Sequence, residues 1–243
     1  MSFHHSPKIV TDGLVFYVNL SSKKCYNGPL GLPQAGYPIN DLTGKNRYIG
    51  SSNYFQSDGS LLMGDVGNQT IWYRDFANVP GKVTYMCAFY FPRNDQFVLG
   101  EFPMVLGSLD GDADGFAFYI DASSSFPTYL KFFIKNGALN EVEYPTSDYD
   151  RIYYVAATED NGISKLYVNG RLVSQNTHVV SNAVSQNVIE IGWASEALYD
   201  TNTFIKVYSS MIYNRVLTDQ EVLQNYNALK GRYKIWAHQA DQI

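Results

Sequence analysis

Three Asn-Gly pairs, each beside runs of alternating apolar and polar residues, limit what this chain can fold into more than any other feature. A type I′ turn needs positive φ at both central positions, which Asn and Gly adopt at least cost, and its twist suits two antiparallel strands. Asn136-Gly137 follows YLKFFIK, Asn161-Gly162 follows IYYVAATED, and Asn169-Gly170 joins SKLYV to RLVSQ. The last two pairs are close enough that 152–175 reads as a three-strand antiparallel meander. Leu166 and Val168 then share a core face, while Lys165, Tyr167 and Asn169 share a wet one.

Further strands are expected at 13–19, 60–63, 83–91, 97–100, 104–108, 115–121, 129–135, 139–144, 187–193 and 204–213, separated by Gly, Pro, Asn and Asp clusters. The exception comes late. Thr218 followed by Glu221 is a capping box, Val222, Leu223, Tyr226 and Leu229 form one apolar stripe, and Gly231 is the expected stop. A helix this short is marginal alone and must lie on the strands that precede it. With 243 residues, 45% of them hydrophobic, the chain can bury one large core. The expectation is an all-β protein, an antiparallel two-sheet jelly-roll sandwich with one short C-terminal helix. An N-terminal arm (1–10) and a C-terminal tail (232–243) flank a sandwich over 11–231.

The formal net charge is -5 and no Lys/Arg block is present, which argues against nucleic acid or an anionic membrane surface as partner. The start, MSFHHSPKIVTDG, lacks a basic segment followed by an apolar one, and no apolar run approaches the roughly 18–20 residues of a membrane span. The chain is expected to be made in the cytoplasm. Cys25 and Cys87 are expected as free thiols, and the Asn19-Leu-Ser21 and Asn68-Gln-Thr70 triplets as chance matches to a glycosylation pattern.

The segments DGLVFYVNL, INDLTGKNRYIG (39–50), SKLYVNGRLVSQ, IEIGWA (189–194) and YSSMIYNRVLTDQEVLQNYNALKGRY resemble the concanavalin A-like lectin/glucanase superfamily in its laminin-G-like branch. The resemblance covers nearly the whole chain. Its final segment is similar to that of bacteriophage proteins in which such domains are virion structural, decoration or adhesin components. The resemblance implies a concanavalin A-like sandwich, a place in the virion, contacts with other virion proteins in a multi-copy assembly or homo-oligomer, and a terminal helix that plugs the sandwich. Residues 1–10 and 232–243, with Phe3, Ile9, Tyr233, Ile235 and Trp236, are the expected partner contacts. A host surface glycan is the alternative partner.

Catalysis is not expected. Glycosidases of this fold need paired carboxyl groups on one strand face, and Glu141-Val-Glu143 offers two acids before Pro145 breaks the pattern. No nucleophile elbow or metalloprotease helix accompanies His4, His5, His178 and His238, which are read as surface residues. DGDADG (110–115) has the alternating carboxylates of an oxygen-ligand calcium loop. Asp110, Asp112 and Asp114 would hold Ca2+ with Asp121 at the twelfth position, where a bidentate Glu is usual; a polar hairpin loop is the other reading. GWASEALYDTNTF gathers Trp193, Tyr199, Asp200 and Asn202, an aromatic and amide set suited to stacking on a sugar and equally to a protein contact.

Overall fold

A computed structural model describes residues 8–28, 33–34, 38–45, 47–50, 53–56, 58–63, 70–74, 81–91, 104–108, 115–121, 128–136, 138–146, 149–179, 189–192 and 205–233. The alternating segments form two antiparallel sheets. The larger has nine strands, in the order β14 (Arg171–Thr177), β13 (Ile163–Val168), β12 (Arg151–Asp160), β7 (Lys82–Phe91), β16 (Ile205–Tyr213), β5 (Leu61–Met63), β4 (Asn53–Phe55) and β2 (Pro33–Gln34). Its ninth strand, β1 (Leu14–Asn19), pairs with β16. The smaller sheet has seven: β11 (Ala138–Thr146), β10 (Thr128–Asn136), β9 (Gly115–Asp121), β8 (Met104–Ser108), β15 (Ile189–Gly192), β6 (Thr70–Arg74) and β3 (Arg47–Gly50). Phe16, Phe89, Phe116, Phe132, Val155 and Ile191 fill the space between them.

Two of the three expected turns form as read. Asn161 and Gly162 have φ of 47° and 94°, and Asn169 and Gly170 have 51° and 78°. Around Asn136 the register differs: Asn136 pairs with Ala138, and Gly137 lies outside the described residues. The expected strand at 97–100 also lies outside them.

The helix, α1 (Asp219–Leu229), answers a question the strands pose. In β7 almost every residue is buried, so both faces of the strand are dry. Tyr85, Cys87 and Phe89 point between the sheets, and Met86 and Ala88 point outward beneath α1. Val222 and Leu229 pack there with Tyr154, Tyr167, Tyr208 and Tyr213. Full burial of one such side chain is worth about 1.5–3 kcal/mol, so a marginal helix is held by its contacts. Tyr167, expected on a wet face, is therefore buried, and its hydroxyl donates to Asp219 at 2.7 Å. Leu223, expected in the stripe, is 43% exposed.

The capping box is complete. Thr218 Oγ1 accepts from the Glu221 amide, and Glu221 Oε2 accepts from the Thr218 amide at 2.9 Å. The helix ends at Lys230 in the right-handed region, its amide bonded to the Tyr226 carbonyl, and Gly231 closes no left-handed cap.

Residues 8–10 are fastened to the same helix. Asn225, fully buried, accepts the Val10 amide at 2.7 Å and donates to the Tyr213 hydroxyl at 3.0 Å; Gln224 donates to the Lys8 carbonyl at 2.8 Å. Ile9 packs on this cluster and Tyr233 is buried within it. Both were expected at a partner contact; both are used by the chain's own fold, because the outer face of the larger sheet needs cover. Phe3, Ile235 and Trp236 lie outside the described residues.

Candidate functional site

Where α1 ends, its last turn stands over the start of β12 and the β13–β14 turn, leaving a groove of about 400 Å³. Asp150, Arg151 and Ile152 line it from the start of β12, Asn169 from the turn, and Tyr226 and Lys230 from the helix end, with Tyr154 and Tyr233. Each is placed by a local feature. Asp150 takes φ 62°, a left-handed conformation that Asp tolerates, and its amide donates to the Phe91 carbonyl at 2.8 Å. Its carboxylate accepts the Tyr90 hydroxyl. Asn169 exchanges bonds with Tyr154: its amide donates to the Tyr154 carbonyl at 2.7 Å, and its side-chain oxygen accepts the Tyr154 amide at 3.1 Å.

Behind the groove the aromatic rings form a rigid series. Tyr226 meets Tyr154 edge-on at 5.4 Å, Tyr154 stacks on Tyr233 at 6.2 Å, and Tyr233 stacks on Tyr208 at 4.9 Å. Burial pushes the Tyr154, Tyr208 and Tyr233 phenols well above their ordinary range, so they remain neutral. The Tyr154 hydroxyl donates to the Leu229 carbonyl, which locks the end of the helix over the sheet. Lys230 holds its ammonium 5.2 Å from the Tyr226 ring centroid.

A second polar cluster lies on the outer face of the smaller sheet. Lys131 Nζ is 2.9 Å from Asp121, 3.4 Å from Glu143 and 3.6 Å from Glu141, whose carboxylate also accepts the Tyr119 hydroxyl at 2.5 Å. Burial pushes the Lys131 ammonium down, but the Asp121 hydrogen bond and the surrounding carboxylates outweigh it and hold the pKa above the ordinary lysine range. Cross-strand register brings these residues together, since Lys131 faces Glu143 on one side and Tyr119 on the other. The acids at 141 and 143 thus flank an ammonium that also binds Asp121.

A laminin-G-type family model, described as the concanavalin A-like lectin/glucanases superfamily, matches residues 98–223, more than half of the chain. The chain belongs to the concanavalin A-like lectin/glucanases superfamily. Solved structures with the same fold include a botulinum neurotoxin serotype D binding domain (TM-score 0.69, 12% identity, 90% of this chain and 52% of that one). The type G receptor binding domain is similar (TM-score 0.65, 14% identity, 88% and 51%). So is the binding domain of botulinum neurotoxin DC in complex with SialylT (TM-score 0.65, 11% identity, 89% and 52%). The chain spans about half the length of these structures. No curated protein matches its sequence significantly.

Asp110, Asp112 and Asp114 lie outside the described residues, and Asp121 directs its carboxylate to Lys131. Among the described residues no group of three or more His, Cys, Asp or Glu side chains is arranged to hold a metal ion. Trp193, Tyr199, Asp200 and Asn202 also lie outside the described residues. His178 is not a surface residue. Its side chain is 5% exposed, with Nε2 at 3.2 Å from Glu159 and 3.0 Å from Ser164 Oγ. Ser164 donates to Glu159 at 2.5 Å, and Glu159 also accepts the Gly162 amide, so this set ties the Asn161-Gly162 turn to the end of β14. Ser164 is 1% exposed, which rules it out as an accessible nucleophile.

Cys25 and Cys87 are free and buried, with burial pushing the Cys25 thiol up to about 12. The groove residues were missed in the sequence because they come from three separate segments. The signal that could have found them is Asn169-Gly170, which fixes where the helix end meets the sheet.

Proposed function

We propose that this chain is a non-enzymatic recognition module of a bacteriophage particle, and that it binds carbohydrate in the groove at the end of α1. The observation that carries this reading is the groove itself. It is of ligand size, backed by rigid tyrosines, and rimmed by Asp150, Asn169 and Lys230, which suit the hydroxyls of a sugar. The botulinum neurotoxin DC binding domain that shares this fold was solved with SialylT, which supports a carbohydrate as the class of ligand. The similarity of residues 208–233 to bacteriophage segments supports a virion as the setting, where many copies would add avidity and contact other virion proteins.

A non-enzymatic role is supported by the Lys131 cluster, where an ammonium lies against Glu141 and Glu143, the best local candidates for a glycosidase pair. The test is binding of the purified chain to an array of bacterial surface oligosaccharides. Saturable hits are expected, and they should weaken at least tenfold in Tyr226→Ala. A blank array would remove the carbohydrate reading and favour contacts with other virion proteins through the exposed helix face around Leu223.

A further inference from the structure

We infer that the groove selects a carboxylate-bearing saccharide, with Lys230 as the charge that reads the acid. The inference rests on the carbohydrate reading above and goes further by naming the class of sugar. Two cationic residues, Arg151 and Lys230, line the groove against one acid, Asp150. The Asp150 carboxylate accepts the Tyr90 hydroxyl and keeps its charge, so the lining carries one net positive charge by count. That balance runs against the molecule as a whole, whose net charge is -5.

Lys230 carries the argument. It is exposed, and among the described residues its charge meets no carboxylate within 4.0 Å; its contact is the Tyr226 ring. Lys82, Lys131, Lys165 and Lys206 each lie within 4.0 Å of an acid; among the described residues Lys8, Lys23, Lys24 and Lys45 share with Lys230 the lack of one, but of these five only Lys230 lines the groove. An ammonium held over a ring keeps its donors turned outward, ready for an anion that a neutral sugar would not supply. Asn169, fixed by both of its bonds to Tyr154, and Asp150 line the same groove and offer polar atoms to neighbouring hydroxyls. A pyranose carboxylate would meet Lys230 while its ring lies along Ile152 and Tyr226.

The experiment is an array that pairs uronate- and nonulosonate-bearing oligosaccharides with their carboxyl-reduced counterparts, probed with the full chain, Lys230→Gln and Lys230→Arg. Binding is expected on the acidic members alone, weakened about tenfold or more in Lys230→Gln, as loss of a charge-assisted hydrogen bond requires. Lys230→Arg should retain it, and added salt should weaken it because the groove is open to solvent. Equal binding to the carboxyl-reduced partners would overturn the charge selection and leave carbohydrate recognition standing. Acidic hits unchanged in Lys230→Gln would overturn the assignment to this groove. Circular dichroism and melting of both variants establish that they fold.

Discussion

Glu221 is a residue whose charge is used twice. It receives two bonds from the Arg215 guanidinium, at 2.6 and 2.9 Å, while capping the first turn of α1. The Arg215 bonds outweigh burial and, with the Thr218 amide and hydroxyl, lower its carboxyl pKa to about 2. A depressed folded-state pKa contributes stability that is complete above the unfolded value and disappears as pH falls through the folded one. Glu221→Gln should therefore be less stable than the parent at pH 6, with the gap closing between about pH 4.5 and 2; urea midpoints across that range check it. Asp41 has a similar structural use. In the INDLTG segment its buried carboxylate accepts the Tyr17, Thr43 and Lys45 amides, which pins that loop to β1. Asp121→Asn weakens the Lys131 pair and should cost roughly 1–2 kcal/mol. Melting with and without chelator separates this from a calcium role: the cost should be the same in both.

At the scale of the element, the helix and its underlying turn depend on each other. Gly170 has φ of 78°, and a Cβ there would lie 3.0 Å from Leu223 Cδ1 and from Tyr226 Cδ1. Gly170→Ala should cost about 1–3 kcal/mol from the left-handed backbone alone and displace the end of α1. Val222→Ala should cost about 2 kcal/mol or more, because the side chain is 1% exposed, whereas Leu223→Ala should cost well under 1 kcal/mol. Equal urea midpoints for these two variants would mean that α1 docks by another face. The sequence made the capping box and two of the Asn-Gly turns legible because each is a local rule satisfied within a few residues. Tyr167 was misread because period-two alternation separates the faces of a strand without saying what covers them. Leu223 was misread because the residue next to Val222 sits at the edge of a stripe, and only the sheet beneath decides which of the two is buried. The groove was illegible for a related reason: β12, the β13–β14 turn and the end of α1 meet through tertiary packing.

At the scale of the molecule, the sandwich has one helix because its larger sheet has two dry faces. The smaller sheet packs on one, and α1 with residues 8–10 and Tyr233 packs on the other. Residues 8–10 and Tyr233 are held on this face beside the groove, so a ligand bound there would meet a preorganised surface. The proposed recognition is binding without chemistry. The measurement that tests it most directly is equilibrium binding of host surface polysaccharide to the purified chain and to Tyr226→Ala, with the polysaccharide recovered and sized afterwards. Saturable binding that weakens at least tenfold in the variant, with polysaccharide of unchanged length, is the predicted result. Equal binding by both proteins, or shortened polysaccharide after exposure to the parent chain, would contradict it.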